Sequence, residues 1–152
     1  MKQTYLFPPV FKRIGWIIFP LFLIMGVAFL FSEYSFFELE CKVLAIINDD
    51  SYFEVMQDDI YEEIMIVGLI VSMIFIVFSK EKDEDEYIAQ IRMYSLVWSI
   101  LIGSALLLLA TVFVYGLYYM TVAFLNMFLI LFLFVIKFNI ELYKFRRTGR
   151  DQ

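Results

Sequence analysis

The side chains able to carry chemistry are few, and they are segregated. Histidine is absent from the 152 residues, and Cys41 is the single cysteine. The chain therefore lacks the commonest general base and the commonest imidazole ligand for a transition metal or haem iron. One cysteine makes neither an intramolecular disulfide nor a thiol-exchange pair, and Cys41 reads as a small apolar filler. A serine–histidine hydrolase is excluded, and no glycine-rich phosphate loop occurs. What remains is carboxylate. Asp49, Asp50, Glu54, Asp58, Asp59, Glu62 and Glu63 would offer oxygens to a hard cation. They lack EF-hand spacing, and a solvated acidic face accounts for them. Asp83, Glu84, Asp85 and Glu86 form a second acidic run between apolar segments. The expectation is a protein that is not an enzyme and holds no cofactor or metal.

The elements that must position these charges are apolar. Hydrophobic residues make up 62% of the chain, whereas a soluble domain sits near half. The excess would cover a water-facing surface with Phe, Leu and Ile, so lipid is the expected solvent. Residues 14–32, 64–79, 93–119 and 120–136 contain no Asp, Glu, Lys or Arg. About 20 apolar residues cross the hydrocarbon core as a helix. The fold class expected is an all-α integral membrane protein, an antiparallel bundle of four transmembrane helices forming one domain over residues 1–152. Its spans are 14–32, 60–79, 91–116 and 119–141. An outer segment covers 33–59, an inner acidic loop 80–90 and a basic tail 142–152. The first run is too long for a signal-peptide core, and Ser32-Glu33-Tyr34 offers no small-x-small cleavage site, so it reads as an uncleaved span.

Orientation follows from the basic residues. Lys2, Lys12 and Arg13 precede the first span, Lys80, Lys82 and Arg92 lie between the second and third, and Lys137, Lys144, Arg146, Arg147 and Arg150 follow the fourth. Of the 12 basic residues only Lys42 falls on the other side. The positive-inside rule then places both termini and the 80–92 loop in the cytoplasm of a cell with a cytoplasmic (inner) membrane, and acids do not weaken it.

The outer segment carries two patterns. Phe37, Leu39, Cys41, Val43 and Ala45 alternate with Glu38, Glu40 and Lys42, which predicts a strand or hairpin over 37–47. Ser51 and Glu54 match a capping box, and Phe53, Met56, Ile60 and Ile64 share a helical face. A helix running from about Ser51 into the membrane is therefore preferred to a returning strand at 52–55. In the inner loop, Asp83 and Glu86 form a capping pair that predicts a helix from about Glu84. Gly116 supplies the turn between the third and fourth spans.

Polar and small residues within the spans mark packing. Ser95, Ser99, Gly103 and Thr111 form a small-residue stripe suited to close helix approach. Asn126 and Ser72 are intramembrane polar groups, and Asn126 needs a partner, with Thr111, Ser104, Ser72 or a second subunit as candidates. Pro20, with Gly15 and Gly26, predicts a kink. The charged ends, Asp83–Glu86 and Arg146, Arg147 and Arg150, are candidate interaction surfaces. The basic tail either rests on anionic head groups or docks on the 83–86 run. The pattern offers no basic face for nucleic acid.

The partners expected are the lipid bilayer and either a second copy or another membrane protein. The leading function is a non-catalytic membrane subunit or regulator acting through helix packing and charged loops. An oligomeric ion channel with an acidic outer mouth is the alternative, followed by a transporter of an apolar or lipid-like substrate. Coupled ion transport and voltage sensing both call for charges deep within the spans, and the apolar runs 14–32, 64–79, 93–119 and 120–136 contain none.

Overall fold

A computed structural model describes residues 5–31, 40–47 and 52–149. The chain is mostly helical, with α1 (Pro9–Phe31), a hairpin of β1 (Glu40–Ile47) and β2 (Tyr52–Asp59), then α2 (Tyr61–Val77), α3 (Glu86–Phe113) and α4 (Leu117–Thr148). Among the described residues, three helices are long and apolar enough to cross a membrane: α1 over Pro9–Phe29, α3 and α4. α2 has 17 residues, a length of about 25 Å at helical rise against a hydrocarbon core of about 30 Å. The chain divides into two compact units. One contains the residues up to Trp16 and from Ile70 onward, and the other is Ile17–Leu69.

In the first unit, Pro9 opens α1, where a missing N–H costs nothing and the fixed φ suits a helix. Just before it, Phe7 forms a parallel bridge to Ser79. Its N–H donates to the Phe78 carbonyl at 2.9 Å, and its own carbonyl accepts from the Lys80 N–H at 2.9 Å. The rings of Phe7, Phe11 and Phe75 close over this bridge at 5.0–5.5 Å. The start of α1 then packs tightly on the end of α2 at Gly15. A Cβ there would lie 2.9 Å from the Ser72 carbonyl and about 3 Å from Ile76 and Phe75.

α3 and α4 form an antiparallel hairpin. Val114 ends α3, and Gly116 turns the chain with φ 73° and ψ −149°, a region open in practice only to glycine. Contacts step down the two helices in opposite directions. Thr111 meets Tyr119 at 3.2 Å, Asn126 meets the Gly103 carbonyl at 2.9 Å, and Tyr87 stacks on Phe145 at 4.7 Å. The inward face of α3 is Ile88, Arg92, Ser95, Ser99 and Gly103. That of α4 is Asn126, Phe134, Val135, Phe138 and Leu142. A Cβ on Gly103 would sit 2.3 Å from Ile130, so the close approach requires glycine.

In the second unit, β1 and β2 pair antiparallel, with Leu44 opposite Val55 and Lys42 opposite Gln57. This corrects the helix expected from about Ser51, which itself lies outside the described residues. The strand wins because pairing gives residues 52–59 a backbone partner that β1 needs in turn. The helix start moves to Tyr61, whose N–H donates to the Asp59 carboxylate at 3.1 Å. Phe53 sits inside β2 at φ 57°, a left-handed backbone uncommon for a residue other than glycine. α1 continues without interruption through Pro20, and its Phe29 ring approaches Tyr61 at the start of α2.

The inner loop also departs from expectation. α3 begins at Glu86, and its cap is Asp85, whose carboxylate accepts from the Ile88 N–H at 2.8 Å. The cap thus falls two residues beyond Asp83, because the stretch before it is shaped by Glu84 instead.

Candidate functional site

The inward stripe of α3 carries one charge. Arg92 lies one turn before Ser95 and two before Ser99, so helical spacing aims it into the protein, where it is 3% exposed. A buried guanidinium is costly unless paired and hydrogen-bonded. The residues just before α3 supply what it needs. Nη1 donates to Glu84 Oε1 at 2.7 Å and Nη2 to Glu84 Oε2 at 3.2 Å. Nε donates to the Val77 carbonyl at 2.9 Å, and Nη2 also reaches the Ser79 carbonyl at 3.3 Å. Those two carbonyls lie where α2 ends and would otherwise want donors. The fork geometry of arginine thus ties the end of α2 to the start of α3.

Glu84 turns the loop back on itself, because its Oε2 accepts from the Glu81 N–H at 2.8 Å. That places the Glu81 carboxylate inside, 5% exposed. One of its oxygens is held by Lys12 of α1, and the other accepts from Arg146 Nη2 of α4 at 3.0 Å. Phe138, fully buried, lies beneath two of the cations, with its centroid 5.4 Å from Lys12 Nζ and 5.0 Å from the Arg92 guanidinium. The ring face is favourable to both. Five charges from α1, the loop, α3 and α4 therefore form one cluster. All four carboxylate oxygens of Glu81 and Glu84 are engaged by donors, so the arrangement fixes the geometry of the helix ends. A smaller cluster lies nearby on α4. Lys137 pairs with Glu141 at 2.8 Å over the rings of Tyr94 and Trp98, and Lys144 approaches the same carboxylate at 3.5 Å.

The residues singled out from sequence fall in different places. Ser95 and Ser99 are fully buried, and Gly103 is buried with them. The two hydroxyls turn back to their own helix, donating to Ile91 and Ser95 carbonyls, so the stripe packs through small size. Thr111 is exposed and bonds Leu107 and Tyr119. Asn126 is inward, but its partner is the Gly103 carbonyl rather than Thr111, Ser104 or Ser72, because glycine leaves that carbonyl open to approach. Ser72 is fully buried. Pro20 lies exposed on α1. Among the charged surfaces, Asp83 and Glu86 are exposed, Glu84 is in the cluster and Asp85 is the cap. Arg146 meets Glu81 rather than the 83–86 run, since those carboxylates are exposed, capping or already taken. Arg147 is exposed. Arg150, Asp49 and Asp50 lie outside the described residues.

Sequence reasoning missed Lys12, Glu81, Arg92 and Phe138. The signal for Arg92 was present: it shares the stripe of Ser95 and Ser99, and a charge on an inward face requires a counter-charge. Comparison with protein-family models, with curated proteins and with solved structures finds no match for this chain.

Proposed function

We propose that the chain is a four-pass protein of the cytoplasmic membrane, with both termini and the 80–92 loop on the cytoplasmic side, serving as a non-catalytic subunit or regulator. The observation that carries the reading is the meeting of Lys12, Glu81 and Arg146. They belong to the three segments that a four-pass chain with both ends inside would bring to one face. α2 is the fourth span in this reading. Its slight shortness is of a size that local bilayer thinning accommodates. Its end is held by Arg92 through the Val77 carbonyl. The regulatory role rests on the 80–86 loop, whose inward carboxylates fix helix ends while Lys82, Asp83 and Glu86 face outward.

Reporter fusions at Asp50 and at the C-terminus test the topology, and a periplasmic reporter active at the C-terminus refutes it. Affinity purification in mild detergent, followed by mass spectrometry, tests the role. The expected result is a stoichiometric membrane partner that is lost when Asp83 and Glu86 are both changed to Lys. Recovery of this chain alone counts against a subunit.

A further inference from the structure

Arg146 is the half-exposed member of the charge cluster, with 49% of its side chain open against 5% for Glu81. It gives Glu81 one hydrogen bond, from Nη2, and a guanidinium has five donors. Glu81 keeps Lys12 on its other oxygen, so departure of Arg146 does not orphan the buried carboxylate. The cluster sets three cations, Lys12, Arg92 and Arg146, against two carboxylates, Glu81 and Glu84. Its surplus positive charge lies on the exposed side, beside exposed Arg147. Beyond buried Leu142 the last residues of α4, Arg146, Arg147 and Thr148, are exposed, and Arg146 is the one of them that contacts the loop.

We propose that Arg146 is an exchangeable arm, which leaves Glu81 for the phosphate of an anionic lipid headgroup and so releases the end of α4 from the 80–86 loop. The inference rests on the four-pass reading, which puts this end of α4 at the inner membrane surface. The chemistry is balanced, since one charge-assisted hydrogen bond replaces another, and a phosphate accepts the guanidinium fork in two places. An anionic surface favours each nearby basic residue by about fivefold, enough to tip a near-even exchange.

The test is a distance measurement by pulsed electron spin resonance on full-length chain. Spin labels replace exposed Lys82 and Thr148 as Lys82→Cys and Thr148→Cys in a Cys41→Ser background. In phosphatidylcholine vesicles one short distance is expected. Adding phosphatidylglycerol should enrich a longer one by about fivefold. Glu81→Gln should show the longer distance in both lipids, and Arg146→Gln should lose the lipid response. Inorganic phosphate added to phosphatidylcholine vesicles should leave the distance short, and if it reproduces the shift the headgroup assignment falls. Identical distributions in the two lipids for the intact chain, or a response retained in Arg146→Gln, overturn the proposal. Side-specific thiol labelling of the same two cysteines separates its failure from a failure of the four-pass reading.

Discussion

Arg92→Met removes the guanidinium and keeps much of its apolar stem. The structure sets the expected cost. The variant leaves Glu84, whose side chain is 19% exposed, without its cation, and it strips a donor from the Val77 and Ser79 carbonyls. Removing one partner of a buried pair costs about 3–5 kcal/mol. The partial exposure of Glu84 points to the lower end, about 3 kcal/mol. Arg92→Lys retains the charge and loses the fork, so its cost should fall between parent and Arg92→Met. Equilibrium unfolding in mixed micelles measures both. The same assay on Glu84→Gln and the double variant gives the coupling, expected at about 1–3 kcal/mol, with the double costing less than the sum of the singles. A cost for Arg92→Met below about 0.5 kcal/mol, or additivity within about that amount, would refute the claim that this pair organises the helix ends.

Further outcomes follow from close approaches and backbone geometry. Gly15→Ala should lose about 1–3 kcal/mol by unfolding, since its new methyl meets the Ser72 carbonyl at 2.9 Å and overpacking costs that much. Gly116→Ala should cost about 1–3 kcal/mol through backbone strain alone, since no atom lies within 4 Å of the added Cβ; Gly149→Ala, at φ −71°, is the near-neutral control. Asn126→Leu should cost about 1 kcal/mol, the scale of a helix–helix hydrogen bond in lipid. Thr111→Val, on an exposed position, should change thermal stability by no more than about 0.5 kcal/mol.

Much of the architecture was legible because apolar runs and turn residues act locally. The long runs gave the helices, Gly116 marked the α3–α4 turn, and the alternation around Val43 and Ala45 located β1. The second strand was legible only as the less favoured alternative at 52–55, because Ser51 and Glu54 satisfy a local capping pattern while strand pairing is a distant contact that only β1 supplies. The cap of α3 was misplaced for a related reason. Asp83 and Asp85 are both N-cap residues by type, and the choice was made by Glu84 turning toward Arg92. The charge cluster was the least legible feature. A basic residue near a span end reports a side of the membrane, and that reading absorbed Lys12, Arg92 and Arg146 without asking what they touch. Glu81 looked like one more loop acid. The geometry of Arg92 within the Ser95–Ser99 stripe was the overlooked clue, because position on a helix face states burial regardless of residue type.

The central claim is that the N-terminal segment, the 80–86 loop and the end of α4 gather on one side of the membrane. Native Cys41 is exposed and needs no engineering as an outer reporter, and exposed Lys82 and Thr148 serve as inner ones when each is made the sole cysteine with Cys41→Ser. A membrane-impermeant maleimide applied to intact cells should label Cys41 and should reach Lys82→Cys and Thr148→Cys only after the membrane is opened. Labelling of Lys82→Cys and Thr148→Cys from opposite sides would contradict the account.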